Sequence, residues 1–194
     1  QILQAKEEAE LSFRQAKEAV DEFFAEVAEN RIWKRFPETE SFRKQLLERT
    51  QRYYTQFMQS QQGGEELGYE RAATNYKIAR CFSLLGAKKK AIPLYDQSIR
   101  QLRQLNQKNP GNKDVLLSLS NCLTGRSEIY DDMVSMDKAV DGFDEALGLR
   151  KTYREMTTKP TPEMLRKLAN TYMNAGSTRN QRLRSRTDLE PEQR

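Results

Sequence analysis

The carboxylates, 28 Asp and Glu in all, are the first residues here that could do chemistry. Glu128, Asp131 and Asp132 cluster near the end of one helical pattern, and Asp137, Asp141, Asp144 and Glu145 follow in the next. Paired acids can move protons or hold Mg²⁺. Adjacent residues on a helix point about 100° apart, however, and nothing marks a concave pocket around these, so they read as exposed faces. The chain has no His, which excludes a Ser-His-Asp triad, a Cys-His pair and a His-ligated zinc. Its two cysteines, Cys81 and Cys122, are too few for a four-thiolate metal site. They stand 41 residues apart within helical patterns and read as buried free thiols. Gly63-Gly64 and Pro110-Gly111 fit no Walker-type pattern and read as turns. The expectation is no catalytic residue, no metal and no cofactor.

The basic residues raise a second possibility. Lys88, Lys89 and Lys90 stand together, and Arg179, Arg182, Arg184 and Arg186 follow near the end. The charge is uneven: −1 over 1–62 (10 basic, 11 acidic), +5 over 63–112 (9 and 4), −3 over 113–158 (6 and 9) and +4 over 159–194 (8 and 4). A nucleic-acid footprint concentrates positive charge on one face and offers aromatics for stacking. Here the aromatics sit at core spacing, so a solvated surface is the first reading. A basic module for nucleic acid or an anionic membrane surface is the alternative.

These groups must be positioned by helices. The chain has 194 residues with 33 Lys+Arg against 28 Asp+Glu, and 37% apolar against 31% charged residues. With a mean hydropathy of −0.90, that balance predicts charged, amphipathic helices in thin layers. Nine Gly and six Pro are too few for a turn-dense all-β fold. No apolar run approaches the ~20 residues of a membrane span, and no signal peptide is present. The chain starts at Gln1 without Met and reads as a piece of something longer.

Residues 1–30 read as one helix with the seam Ala9, Phe13, Ala16, Val20, Phe23 and Val27. Trp33 follows as a core anchor under the turn. A second helix is expected from about Ser41 to Gln61, with Phe42, Leu46, Tyr53 and Phe57 as its stripe, widened by Leu47, Tyr54 and Met58. Thr39 or Ser41 would cap it and Gly63-Gly64 would end it.

Beyond Glu65 the pattern repeats. AKKKAIPLYDQSIRQL places Ala91, Tyr95, Ser98 and Ile99 where SMDKAVDGFDEALGLR places Ala139, Phe143, Ala146 and Leu147, an offset of 48 residues. The offset also pairs Phe82 with Tyr130 and Ala79 with Ser127. It mismatches Leu102 with Arg150, Ile78 with Arg126 and Gly86 with Val134. Each unit is a helix, a short turn and a second helix, separated by Asn109-Pro110-Gly111-Asn112 and Lys159-Pro160-Thr161-Pro162. Small residues at Ala91, Ala139 and Ala146 let helices approach, and Tyr95 or Phe143 fills the space beside the crossing. A third first-helix carries Met164, Leu168, Tyr172 and Ala175, and its pattern fades after Gly176. The expected organisation is a helical hairpin over 1–62, repeats over 63–112 and 113–158, and a truncated third repeat with a basic tail over 159–194. The tail beyond Gly176 is expected to be mobile.

The spacing of Ala79, Phe82, Gly86, Ala91, Tyr95 and Ser98 is similar to the tetratricopeptide repeat, and KLANTYMNAG over Lys167–Gly176 looks like its first helix. The usual period is about 34 residues, so 48 implies extended helices and a longer turn. The stretches AELSFRQAKEAVDEFFAEVAENR (9–31), SFRKQLLERTQRYYTQFM (41–58) and YKIARCFSLLGAKKKAIPLYDQSI (76–99) resemble the helical region that follows the kinase domain and membrane span in planctomycete-type serine/threonine protein kinases. No Gly-rich loop, HRD or DFG motif of a kinase is present in this chain. The resemblance implies an all-α fold of antiparallel helix hairpins stacked as a short α-solenoid. It implies a non-catalytic interaction or sensory region of a membrane-anchored bacterial kinase, with a protein or peptide partner and a membrane contact only through the parent's anchor. Carried onto matching positions, its partner groove would show Tyr76, Arg80, Leu84, Asn121, Thr124, Glu128, Asn170, Met173 and Asn174. The Lys pair of a carboxylate-clamping member is missing.

Overall fold

The computed structural model describes residues 18–24, 37–60 and 68–187. Most of the expected first helix, Trp33 and the Gly63-Gly64 stop lie outside the described residues. Everything described is helix or turn. Residues 18–24 form α1; a 3₁₀ turn at Pro37–Thr39 leads into α2 (Glu40–Ser60). Then come α3 (Gly68–Leu84), α4 (Lys88–Lys108), α5 (Lys113–Asp132), α6 (Met136–Glu155) and α7 (Pro162–Thr187).

Turn chemistry sets the boundaries. Asn112 caps α5, its side chain accepting from Asp114 N at 3.0 Å and Val115 N at 3.2 Å. Thr161 does the same for α7, accepting from Met164 N at 3.2 Å, and Pro162 takes the first helical position, where no N–H is needed. The α3–α4 and α5–α6 turns are built alike. Ala87 N bonds to Phe82 O at 2.8 Å and Gly86 N to Ser83 O at 3.1 Å; Ser135 N bonds to Tyr130 O at 2.8 Å and Val134 N to Asp131 O at 2.9 Å. This pair of bonds closes a helix around a left-handed residue, and Gly86 (φ 78°) and Val134 (φ 59°) both adopt that conformation. The mismatch between those two positions is thus one of side chain and not of backbone.

Turns this short make each hairpin antiparallel, and the cross-contacts follow. Between α3 and α4, Ser98 Oγ donates to Ala72 O at 2.7 Å and Lys90 lies over the Phe82 ring. Between α5 and α6, Arg150 bonds Asn121 at 2.8 Å and Gly142 packs against Ser127. Helices of the same kind run side by side in parallel: Tyr69 Oη and Ser118 Oγ are 3.0 Å apart between α3 and α5, and Thr178 Oγ1 donates to Asp131 at 2.8 Å between α7 and α5.

The core follows the repeat. Ala91, Tyr95, Ser98 and Ile99, and their partners Ala139, Phe143, Ala146 and Leu147, are all buried. One apolar cluster joins α1, α2 and α3 through Phe24, Leu47, Tyr54, Ile78 and Cys81. A larger one runs from Ala79 through Tyr95 and Leu102 to Leu119 and Leu123, and a third joins Phe143 and Leu147 to Ala175 of α7. Cys81 and Cys122 are buried free thiols, and burial pushes each up to about 12.

Four expectations are corrected. In α2 the expected Leu47, Tyr54 and Phe57 are buried, joined by Arg43 and Thr50, but Phe42 of the expected stripe is exposed. In α1, Phe24 is buried and Phe23 is not. In α7 the lane passes through Thr171, Ala175 and Thr178, and Tyr172 stands outside it with Lys151 over its ring. Each apolar stripe is wider than one lane, and the covering neighbour selects the lane. Finally, α7 does not end at Gly176 but continues to Thr187. Its second half is held by Thr178 and by ion pairs from Arg179 to Asp144 and from Arg182 to Asp137, the latter at 3.1 Å.

Candidate functional site

The first helices of the three expected repeats, α3, α5 and α7, share one cleft of about 260 Å³. Eight of the nine residues expected there line it: Tyr76, Arg80 and Leu84 from α3, Asn121, Thr124 and Glu128 from α5, and Asn170 and Asn174 from α7. Met173 does not. It is 69% exposed, one position and about 100° from Asn174, and points away from the cleft. The cleft also takes Gly125, Arg150, Arg166, Lys167 and Thr171, which the repeat positions did not bring forward.

Glu128 is the hinge of the site. Arg80 Nη1 donates to its carboxylate at 3.1 Å from α3, and the Asn174 amide reaches it at 3.5 Å from α7. Arg150 rises from α6 into the gap between the first helices. Its guanidinium donates to Asn121 Oδ1 at 2.8 Å, and its Nε is buried with no hydrogen-bond partner among the described residues. Burial holds the pKa of that guanidinium below its ordinary value. Lys167, beside it on α7, is engaged by Glu163 at 2.9 Å, which holds the Glu163 carboxyl below the usual carboxylate range. A visible signal for Arg150 did exist: it is the charge standing where the preceding repeat has Leu102.

The walls are formed by close backbone approach. A Cβ on Gly125 would stand 2.6 Å from the Tyr95 hydroxyl and 2.8 Å from its ring. Only a glycine lets α5 lie so close to that ring. The lining therefore combines guanidinium and amide donors, threonine hydroxyls and a single carboxylate. Such groups hydrogen-bond and hold charge; among them are no Cys and no Ser. Among the described residues no cluster of His, Cys, Asp and Glu could hold a metal ion, and no helix is long and apolar enough to cross a membrane.

Asp132, Asp137, Asp141 and Asp144 lie on exposed faces, as expected, but several acids of α5 and α6 are paired with cations of other helices. Asp132 pairs with Lys88 at 2.9 Å, Glu145 with Arg103 at 2.6 Å, and Asp137 and Asp144 with Arg182 and Arg179. Thus the negative 113–158 stretch meets its cations on the helices that flank it. Two of the four arginines assigned to a basic tail, and one of the three lysines of the basic turn, are bound in these pairs.

Comparison of the chain with protein-family models, with curated proteins and with solved structures gives no match.

Proposed function

We propose that this chain is a non-catalytic protein-interaction module that binds an extended peptide segment across α3, α5 and α7. The observation that carries it is the cleft: three helices recurring at nearly one interval turn eight side chains of mixed donor and acceptor character toward a common space. A peptide backbone needs such donors and acceptors, and a row of helices repeats them along its length. The hairpins form a short solenoid of tetratricopeptide type in this reading. Its resemblance in spacing adds a context, the region C-terminal to the kinase domain and membrane anchor of a larger serine/threonine kinase. A basic module for nucleic acid is the weaker reading, because Lys88, Arg179 and Arg182 are held in ion pairs between helices.

The test is selection from a displayed library of random peptides on the immobilised chain. Peptides are expected that no longer bind when the bulky Asn170→Trp obstructs the cleft and still bind Lys89→Glu on the outer turn. Failure to select any peptide, together with binding of random-sequence RNA or DNA that falls steeply with salt, would overturn the reading.

A further inference from the structure

Arg150 is an unusual residue to find at the floor of the cleft. Only 7% of it is exposed, yet among the described residues no carboxylate lies within ion-pairing distance. Its guanidinium donates to the neutral Asn121 amide, and among the described residues its Nε has no hydrogen-bond partner. The nearest anion, Glu128, is already taken by Arg80 and Asn174. The Glu128 charge acts on Arg150 only from beyond ion-pairing distance, and a buried cation without a direct counter-charge is costly to the fold. The repeat itself shows that the fold has no need of it, since the equivalent Leu102 is fully buried in the preceding hairpin. At the rim of the same cleft, Arg166 is exposed and, among the described residues, has no carboxylate within ion-pairing distance, although the Glu163 carboxylate feels its charge.

We propose that Arg150 and Arg166 receive the carboxylate of an Asp or Glu side chain in the bound peptide; this rests on the peptide-binding reading above. The peptide carboxylate supplies the charge that Arg150 lacks, and the guanidinium is already desolvated and fixed by Asn121, so little order is lost on binding. Asn170 adds a neutral amide beside it. The geometry favours a singly charged carboxylate over a phosphate. Glu128 stands in the same cleft and would repel a dianion more strongly.

The library selection tests this directly. Selected peptides are expected to share an Asp or Glu at one position. For the synthesised, fluorescein-labelled winner, replacing that acid by its amide should weaken binding about tenfold or more, as should Arg150→Leu and Arg166→Ala in the protein. Arg150→Leu installs the residue of the preceding repeat, so its thermal midpoint should be unchanged or higher. Arg166→Ala lies on the surface and reports on binding even if the Leu variant unfolds. Lys89→Ala, on the distant basic turn, should bind like the parent chain. Cleft-binding peptides without a shared acid, or indifferent to both arginine changes, would overturn the carboxylate and leave the interaction module standing. Tighter binding of the phosphoserine version than of the acidic one would also overturn it. The absence of any cleft-binding peptide would remove both readings.

Discussion

Arg80 and Glu128 are 48 residues apart in the chain and 3.1 Å apart in space. The same 48 residues separate the two copies of the sequence pattern and the two sets of turn hydrogen bonds. An interval read along the chain is therefore also the interval by which one first helix lies beside the next. The other bonds between neighbouring first helices join residues 49, 46 and 47 apart, so each first helix meets its neighbour at nearly the same height. Side chains one unit apart can then pair across the cleft.

That pair is half-exposed, so its contribution is small. A double-mutant cycle with Arg80→Met and Glu128→Gln should give a coupling of no more than about 1 kcal/mol, discounted for solvent. Urea unfolding at low and at high salt measures it. The coupling should shrink as salt rises.

The two hairpin turns predict opposite effects for reciprocal changes. Val134 holds a left-handed backbone that costs a β-branched residue, and it is 73% exposed, so its side chain has little packing to lose. Val134→Gly should stabilise the fold by about 0.5–1 kcal/mol. Gly86→Val should destabilise it by about 1–2 kcal/mol. A Cβ at Gly86 would meet nothing within 4 Å, so the cost is one of backbone alone. Thermal unfolding of the two variants should show shifts of opposite sign.

Gly142 and Ser127 are coupled by contact. A Cβ on Gly142 would stand 2.1 Å from the Ser127 hydroxyl, which is itself buried without a hydrogen-bond partner among the described residues. Gly142→Ala alone should cost about 1–3 kcal/mol through overpacking, despite its better helix propensity. Ser127→Ala, which matches Ala79 of the other unit, should be neutral or stabilise by about 1 kcal/mol. Together they should be at least about 1 kcal/mol better than the sum of the single changes. Additive behaviour in denaturant titrations would show that the two helices are not in contact there.

The thiols give a pH dependence with a defined sign. Burial raises Cys81 and Cys122 from 9.0 to about 12 in the folded chain, so the unfolded chain releases those protons first. Their contribution is complete below pH 9 and is lost as pH rises from about 9 to 12. Urea midpoints should fall across that window, and fall less steeply in the Cys81→Ala/Cys122→Ala variant. At neutral pH both thiols should react slowly with a disulfide reagent until denaturant is added.

Much of the fold was legible in residue spacing. The positions of Ala91, Tyr95, Ala139 and Phe143 marked the buried side of α4 and α6, because a small–large–small pattern at helical steps can satisfy close packing on only one face. Eight of the nine cleft residues come together because neighbours at steps of three and four share a face whatever lies opposite. Where the stripe was broad, spacing alone did not choose within it: of the expected Tyr53 and Tyr54 only Tyr54 is fully buried, and in α7 Thr171 takes the place of Tyr172. Periodicity orients a helix about its own axis only as finely as its apolar arc is narrow, and the neighbouring helix then chooses the lane. The sequence by itself thus determined the helices, their turns and the 48-residue interval. Tertiary structure alone decided that the acids of α5 and α6 would meet Lys88, Arg103, Arg179 and Arg182, that α7 would be carried past Gly176, and that Arg150 would reach the cleft from a second helix. Those are contacts between elements. They depend on where one helix axis lies against another, and local periodicity does not encode that distance.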